Sequence, residues 1–98
     1  MSVSAPKMWR VPENWRLEWR QWGGLHVVYN PASGDTHLLN ALPAYVLRSL
    51  ETKASSIEEL EALVSSSHDQ PPDEALSSDI EALISELDEL GLIAPAQS

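Results

Sequence analysis

The apolar pattern of this chain changes period once, at Asn40, and that change limits the folds open to it. Before Asn40 apolar residues alternate with polar ones; after it they recur at three- and four-residue steps. Alternation marks a half-buried strand and the longer step an amphipathic helix. Strands therefore come first and helices second, which predicts an α+β domain. The changeover lies in residues 35–51, DTHLLNALPAYVLRSLE. Thr36, His37, Leu38 and Leu39 suit a short strand, and Leu42, Tyr45, Val46, Leu47 and Leu50 form the first helical stripe.

Upstream, Trp15, Leu17 and Trp19 share one face of a strand and Arg16, Glu18 and Arg20 the other, so the aromatics face the core. Gly23-Gly24 reads as a two-residue hairpin turn that needs positive φ. Leu25 to Tyr29 is the return strand, with Leu25, Val27 and Tyr29 on one face. Trp22 falls on the face opposite Trp19 and, where exposed, is a candidate partner contact. Residues 30–35, NPASGD, make a second turn. The result is a three-stranded antiparallel meander. Residues 1–13 lack periodicity and carry Pro6 and Pro12, so they read as a flexible arm from which Trp9 can dock. The domain proper is 14–94, and 95–98 is a tail.

In the helical half, Asn40 is the N-cap of a first helix that has Pro43 in its first turn and ends near Glu51. Ser56 and Glu59 have capping-box spacing and open a second helix with Ile57, Leu60, Leu63 and Val64 on its apolar face. Residues 65–74, with Pro71-Pro72, read as a mobile polar loop. A third helix starts at Ser77 or Ser78, carries Ile80, Leu83, Ile84, Leu87 and Leu90, and stops at Gly91, placed for a left-handed C-cap. The order is β-β-β-α-α-α.

Composition narrows function by exclusion. At 98 residues the chain can bury one modest core. It has no cysteine, hence no disulfide, thiolate nucleophile or cysteine-held zinc, which fits a reducing cytoplasm. No apolar run approaches the ~20 residues of a membrane span. Residues 1–50 carry a net charge of +2 and residues 51–98 a net −11. A half this acidic repels phosphate backbones, so nucleic acid is excluded as a partner and a DNA-binding role is disfavoured. His26, His37 and His68 lack metal-ligand spacing, and His26 and His37 read as solvent-facing strand residues. The many Asp and Glu residues of the helices read as a solvated face. Ser65-Ser66-Ser67 has no neighbouring base, and no Gly-rich phosphate loop occurs. The inventory holds no catalytic constellation and implies no cofactor.

What remains is the backbone. The third strand lies at an edge of the meander and, over residues 36–39, has neither Lys nor Pro, two usual blocks against edge pairing. Such an edge can accept an extended peptide as a further strand. It can equally pair with a second copy of the chain, giving a homodimer.

The chain also resembles a known family. Tyr29-Asn30, Leu38-Leu39-Asn40, Ala44-Tyr45-Val46-Leu47, Ser56-Ile57-Glu58-Glu59-Leu60, Asp79-Ile80 and residues 87–93, LDELGLI, occur in the order and spacing of the PqqD-like peptide chaperones. The likeness spans about residues 15–94. Pro43 stands where many members have Glu, and residues 51–53 replace a usual Asp-Gly turn. Together with the tryptophan-rich first strand, these departures most resemble the members associated with an HPr-kinase-like protein. The resemblance implies a winged-helix-like, non-catalytic domain. Such a domain binds the leader of a ribosomally made precursor peptide and presents it to a modifying enzyme, radical SAM or kinase-like. By position, it implies pairing of the leader with Thr36, His37, Leu38 and Leu39, and a second wall at Asp79, Ala82, Leu83 and Glu86. Carboxylates there would favour a leader with Lys or Arg beside its apolar anchors. The alternative is an adaptor that docks on such a partner protein without binding a short peptide.

Overall fold

Residues 7–12, 15–68 and 73–96 are described in the computed structural model. The strand-to-helix switch falls at Asn40, which occupies the N-cap position in an extended conformation without a side-chain cap bond. Three antiparallel strands precede it: β2 (Glu18–Trp22), β3 (Leu25–Asn30) and β4 (Asp35–Leu39), with β3 in the middle. Three helices follow, α1 (Ala41–Thr52), α2 (Ile57–His68) and α3 (Glu74–Glu89). The domain is α+β in the order expected, with three short strands added.

Those extra strands form a second sheet. β1 (Met8–Arg10) pairs with β5 (Ser55–Ser56) on one side and with β6 (Ala94–Ala96) on the other. Part of the presumed arm and part of the presumed tail are therefore built into the fold. The physical cause is Trp9, which is buried in the main core beside Val11. The Lys7 ammonium sits 4.5 Å from the centre of its ring, and Val11 N–H donates to the Leu50 carbonyl at 3.2 Å. Residues 1–6 and 97–98, the remainder of the arm and tail, lie outside the described residues, as do 13–14 and 69–72.

The core gathers Val28 and Leu39 from the sheet, Ala44, Val46, Leu47 and Leu50 from α1, Leu60 and Val64 from α2, and Leu76, Ile80, Leu83, Ile84 and Leu87 from α3. Leu63, placed by periodicity on the apolar face of α2, sits at its margin and is exposed. On the sheet side Trp19 is half-buried against α1. Its indole N–H donates to Glu51 Oε1 at 2.9 Å, and the Arg48 guanidinium lies 4.2 Å from its ring centre. Desolvation raises the Glu51 carboxyl above its ordinary 4.5, opposed by the Trp19 hydrogen bond and by Arg48. A carboxylate with a raised folded-state pKa binds more protons folded than unfolded, so its contribution to stability falls as pH rises through and above 4.5. Relative to Glu51→Gln, which keeps the acceptor and loses the charge, the native chain should become less stable as pH rises across that window. Urea unfolding of both chains at several pH values checks it.

Helix ends follow local chemistry. The capping box forms: Ser56 N–H donates to Glu59 Oε1 at 3.0 Å and Glu59 N–H to Ser56 Oγ at 3.2 Å. The backbone hydrogen bond from Ser56 is the first cause of the lowered Glu59 pKa. Two boundaries differ from the sequence reading. α2 continues through Ser65, Ser66 and Ser67 to His68, and Ser67 Oγ is tied to the Tyr45 hydroxyl of α1 at 2.6 Å. α3 starts at Glu74 rather than Ser77, because Asp73 caps it by accepting from Leu76 N–H at 3.0 Å. The expected mobile loop is thereby reduced, and its Pro71-Pro72 lies outside the described residues. α3 stops where expected. Gly91 has φ 75°, with Leu92 N–H bonded to the Leu87 carbonyl and Gly91 N–H to that of Asp88, a Schellman motif. Nothing lies within 4 Å of a Cβ added at Gly91, so Gly91→Ala should cost only the left-handed backbone strain, about 1–2 kcal/mol in urea unfolding.

Candidate peptide-binding edge

The sheet register fixes which groups β4 offers. The two-residue turn at Gly23-Gly24 makes Trp22 and Leu25 a hydrogen-bonded pair. Hydrogen-bonded and non-bonded pairs alternate along antiparallel strands. Leu25, Val27 and Tyr29 therefore spend their backbone groups on β2, while His26, Val28 and Asn30 turn theirs to β4. In β4 the partners of those three are Leu39, His37 and Asp35. The N–H and C=O groups of Thr36 and Leu38 consequently point away from β3, along an edge where no described strand pairs. β2 is the other edge of the sheet, but it carries Glu18 and Arg20, charges of the kind that discourage pairing.

Side chains divide by the same parity. His37 and Leu39 face inward, Leu39 fully into the core. His26 and His37, expected to face solvent, are half-buried because they share the face of Val28. His37 Nε2 is buried without a hydrogen-bond partner among the described residues. Thr36 and Leu38 face outward, and Leu38 is 60% exposed. The four strand residues singled out from sequence are thus one continuous edge, two of them presenting backbone and two anchoring the strand.

The four α3 residues are distributed differently. Asp79, Ala82 and Glu86 are exposed, whereas Leu83 belongs to the core. β4 packs mainly on β3 and α1, and α3 mainly on α2 and α1. α1 is the element common to both, and α3 is not a principal neighbour of the strand.

Sequence reasoning named Trp22 as a candidate contact but did not join it to the rest of the outer face of the sheet. Trp22, Leu25, Tyr29 and Leu38 are all exposed there, with Val27 between them. Trp22 is the most exposed at 78%. Glu18, Arg20, Val27, Tyr29 and Thr36 line a hollow of about 270 Å³ on this face. The signal was present in the hairpin register: if Trp19 faces the core, Trp22 and its partner Leu25 must face away.

Among the described residues, no three His, Cys, Asp or Glu side chains are grouped as a metal ion requires, and no helix is long and apolar enough to cross a membrane. A family model described as Coenzyme PQQ synthesis protein D (PqqD) matches residues 26–93. The matched part includes β3, β4 and all three helices, while β1 and β2 precede it. No curated protein and no solved structure matches the chain.

Proposed function

The chain belongs to the PqqD family, and from that premise we propose that it is a non-catalytic peptide chaperone whose β4 edge takes up a precursor-peptide leader. The observation that carries this reading is the free edge of β4, where Thr36 and Leu38 turn both backbone groups outward. An extended leader running antiparallel to β4 would form hydrogen-bonded pairs with these two residues. Main-chain bonds of this kind supply affinity without demanding one sequence. Asp79, Ala82 and Glu86, the exposed members of the α3 set, are the proposed second wall, with Leu83 behind them in the core. The exposed carboxylates of Asp79 and Glu86 favour a leader that carries Lys or Arg. The peptide is then presented to a modifying enzyme, radical SAM or kinase-like, in the cytoplasm.

The exposed indole of Trp22 favours a second reading, an adaptor that holds a partner protein through the outer sheet face. Affinity capture from lysate followed by mass spectrometry separates the two. The baits are the native chain and a folded Thr36→Pro/Leu38→Pro variant. A short peptide held by the first and lost by the second supports leader recognition. A large partner held equally by both supports the adaptor and counts against the edge.

A further inference from the structure

From the outward register of β4 we infer that the edge reads side chains as well as backbone: Leu38 selects an apolar residue at the peptide position paired with it. This inference rests on the strand-addition reading above and adds to it the class of peptide recognised.

The outer face of the sheet is organised in cross-strand rows. One row is Arg20, Val27, Leu38 and the next is Glu18, Tyr29, Thr36. The diagonal neighbours of Leu38 on β3 are Leu25 and Tyr29, both exposed. The apolar surface thus runs outward from Trp22 and Leu25 through Val27 to Leu38. It stops there because the sheet stops, leaving 60% of Leu38 accessible. In an added antiparallel strand, the two residues hydrogen-bonded to Thr36 and Leu38 put their side chains on this same face, because paired residues across a ladder share a side. The residue opposite Leu38 prolongs the Val27 row and covers the exposed isobutyl group. The residue opposite Thr36, two positions away, reaches the margin of the hollow lined by Glu18, Arg20, Val27, Tyr29 and Thr36. A charged side chain opposite Leu38 would be held against apolar neighbours with no counter-charge in its row nearer than Arg20, three strands away. The preferred ligand is therefore an extended peptide with an apolar residue, β-branched or aromatic, facing Leu38.

The test is selection of a phage-displayed library of random linear peptides on the full native chain, and separately on Leu38→Lys. Since Leu38 is largely exposed, lysine fits there without disturbing the core. Native selection should enrich one apolar position, and those peptides should bind Leu38→Lys up to about fivefold more weakly, the upper size of one cross-strand pair. Selection on Leu38→Lys should replace that residue by Asp or Glu. The same residue enriched on both chains, in peptides that lose binding to Leu38→Pro, overturns side-chain reading while strand addition stands. Selected peptides that bind Leu38→Pro as well as the native chain, or no enrichment at all, overturn both.

Discussion

Leu38→Pro should leave the chain folded and weaken leader binding by at least about fivefold, whereas His37→Pro, one residue away, should disrupt the sheet. The contrast follows from register alone. The Leu38 N–H points to the free edge, so proline removes no bond of the native ladder, and edge strands tolerate proline at such positions. The His37 N–H faces Val28 in a hydrogen-bonded pair, and proline there deletes an internal bond. In the complex, proline at 38 removes one main-chain donor and leaves a peptide carbonyl unpaired, a cost of about 1–3 kcal/mol, or about five- to 150-fold in affinity. Circular dichroism and calorimetric titration with a captured leader read both quantities. If Leu38→Pro binds as the native chain does, the leader does not pair with β4.

The largest effect on stability is expected at Trp9. Trp9→Ala should cost about 3–5 kcal/mol, the usual range for deleting a buried aromatic ring. That is a large share of the ~5–15 kcal/mol that holds a small domain together. Trp9 is only 7% exposed and lies in the strand that joins β5 to β6, so its loss loosens the second sheet as well as the core. Trp9→Phe should cost distinctly less. It keeps most of the ring and removes an indole N–H that is buried without a partner among the described residues. Urea unfolding of the three chains gives the order native, Phe, Ala. Were residues 7–12 a detached arm, both substitutions would fall within about 0.5 kcal/mol of native.

How far the sequence discloses this molecule can be judged from particular residues. The three helices and the strand-before-helix order are legible because Leu47, Leu60 and Ile84 recur with the periods that packing demands, and each is buried. Gly91 and the Ser56–Glu59 box are legible because few residue types satisfy those backbone positions. The short β1, β5 and β6 are not. Two or three residues are too few for a period, and Pro95 in β6 argues locally against a strand, yet it is admitted at the edge position it occupies. Asp73 was obscured by the prolines before it. At the site, Thr36, His37, Leu38 and Leu39 could be chosen from sequence as a strand, but which two face outward needed the pairing with β3. His26 and His37 are polar and so read as solvent-facing, but parity from Trp19 through Val28 puts both on the inner face. The helix residues Asp79, Ala82, Leu83 and Glu86 depend on helix phase and on distant packing, and Leu83 proved to be core.

Amide hydrogen exchange at residues 35–39, resolved by residue with and without a captured leader peptide, tests the central claim most directly. In the free chain His37 and Leu39 should exchange slowly and Thr36 and Leu38 fast, since only the first pair is bonded to β3. Adding the leader should slow Thr36 and Leu38 together while leaving His37 and Leu39 slow. A leader that binds with Thr36 and Leu38 still exchanging at their free rates would contradict strand addition.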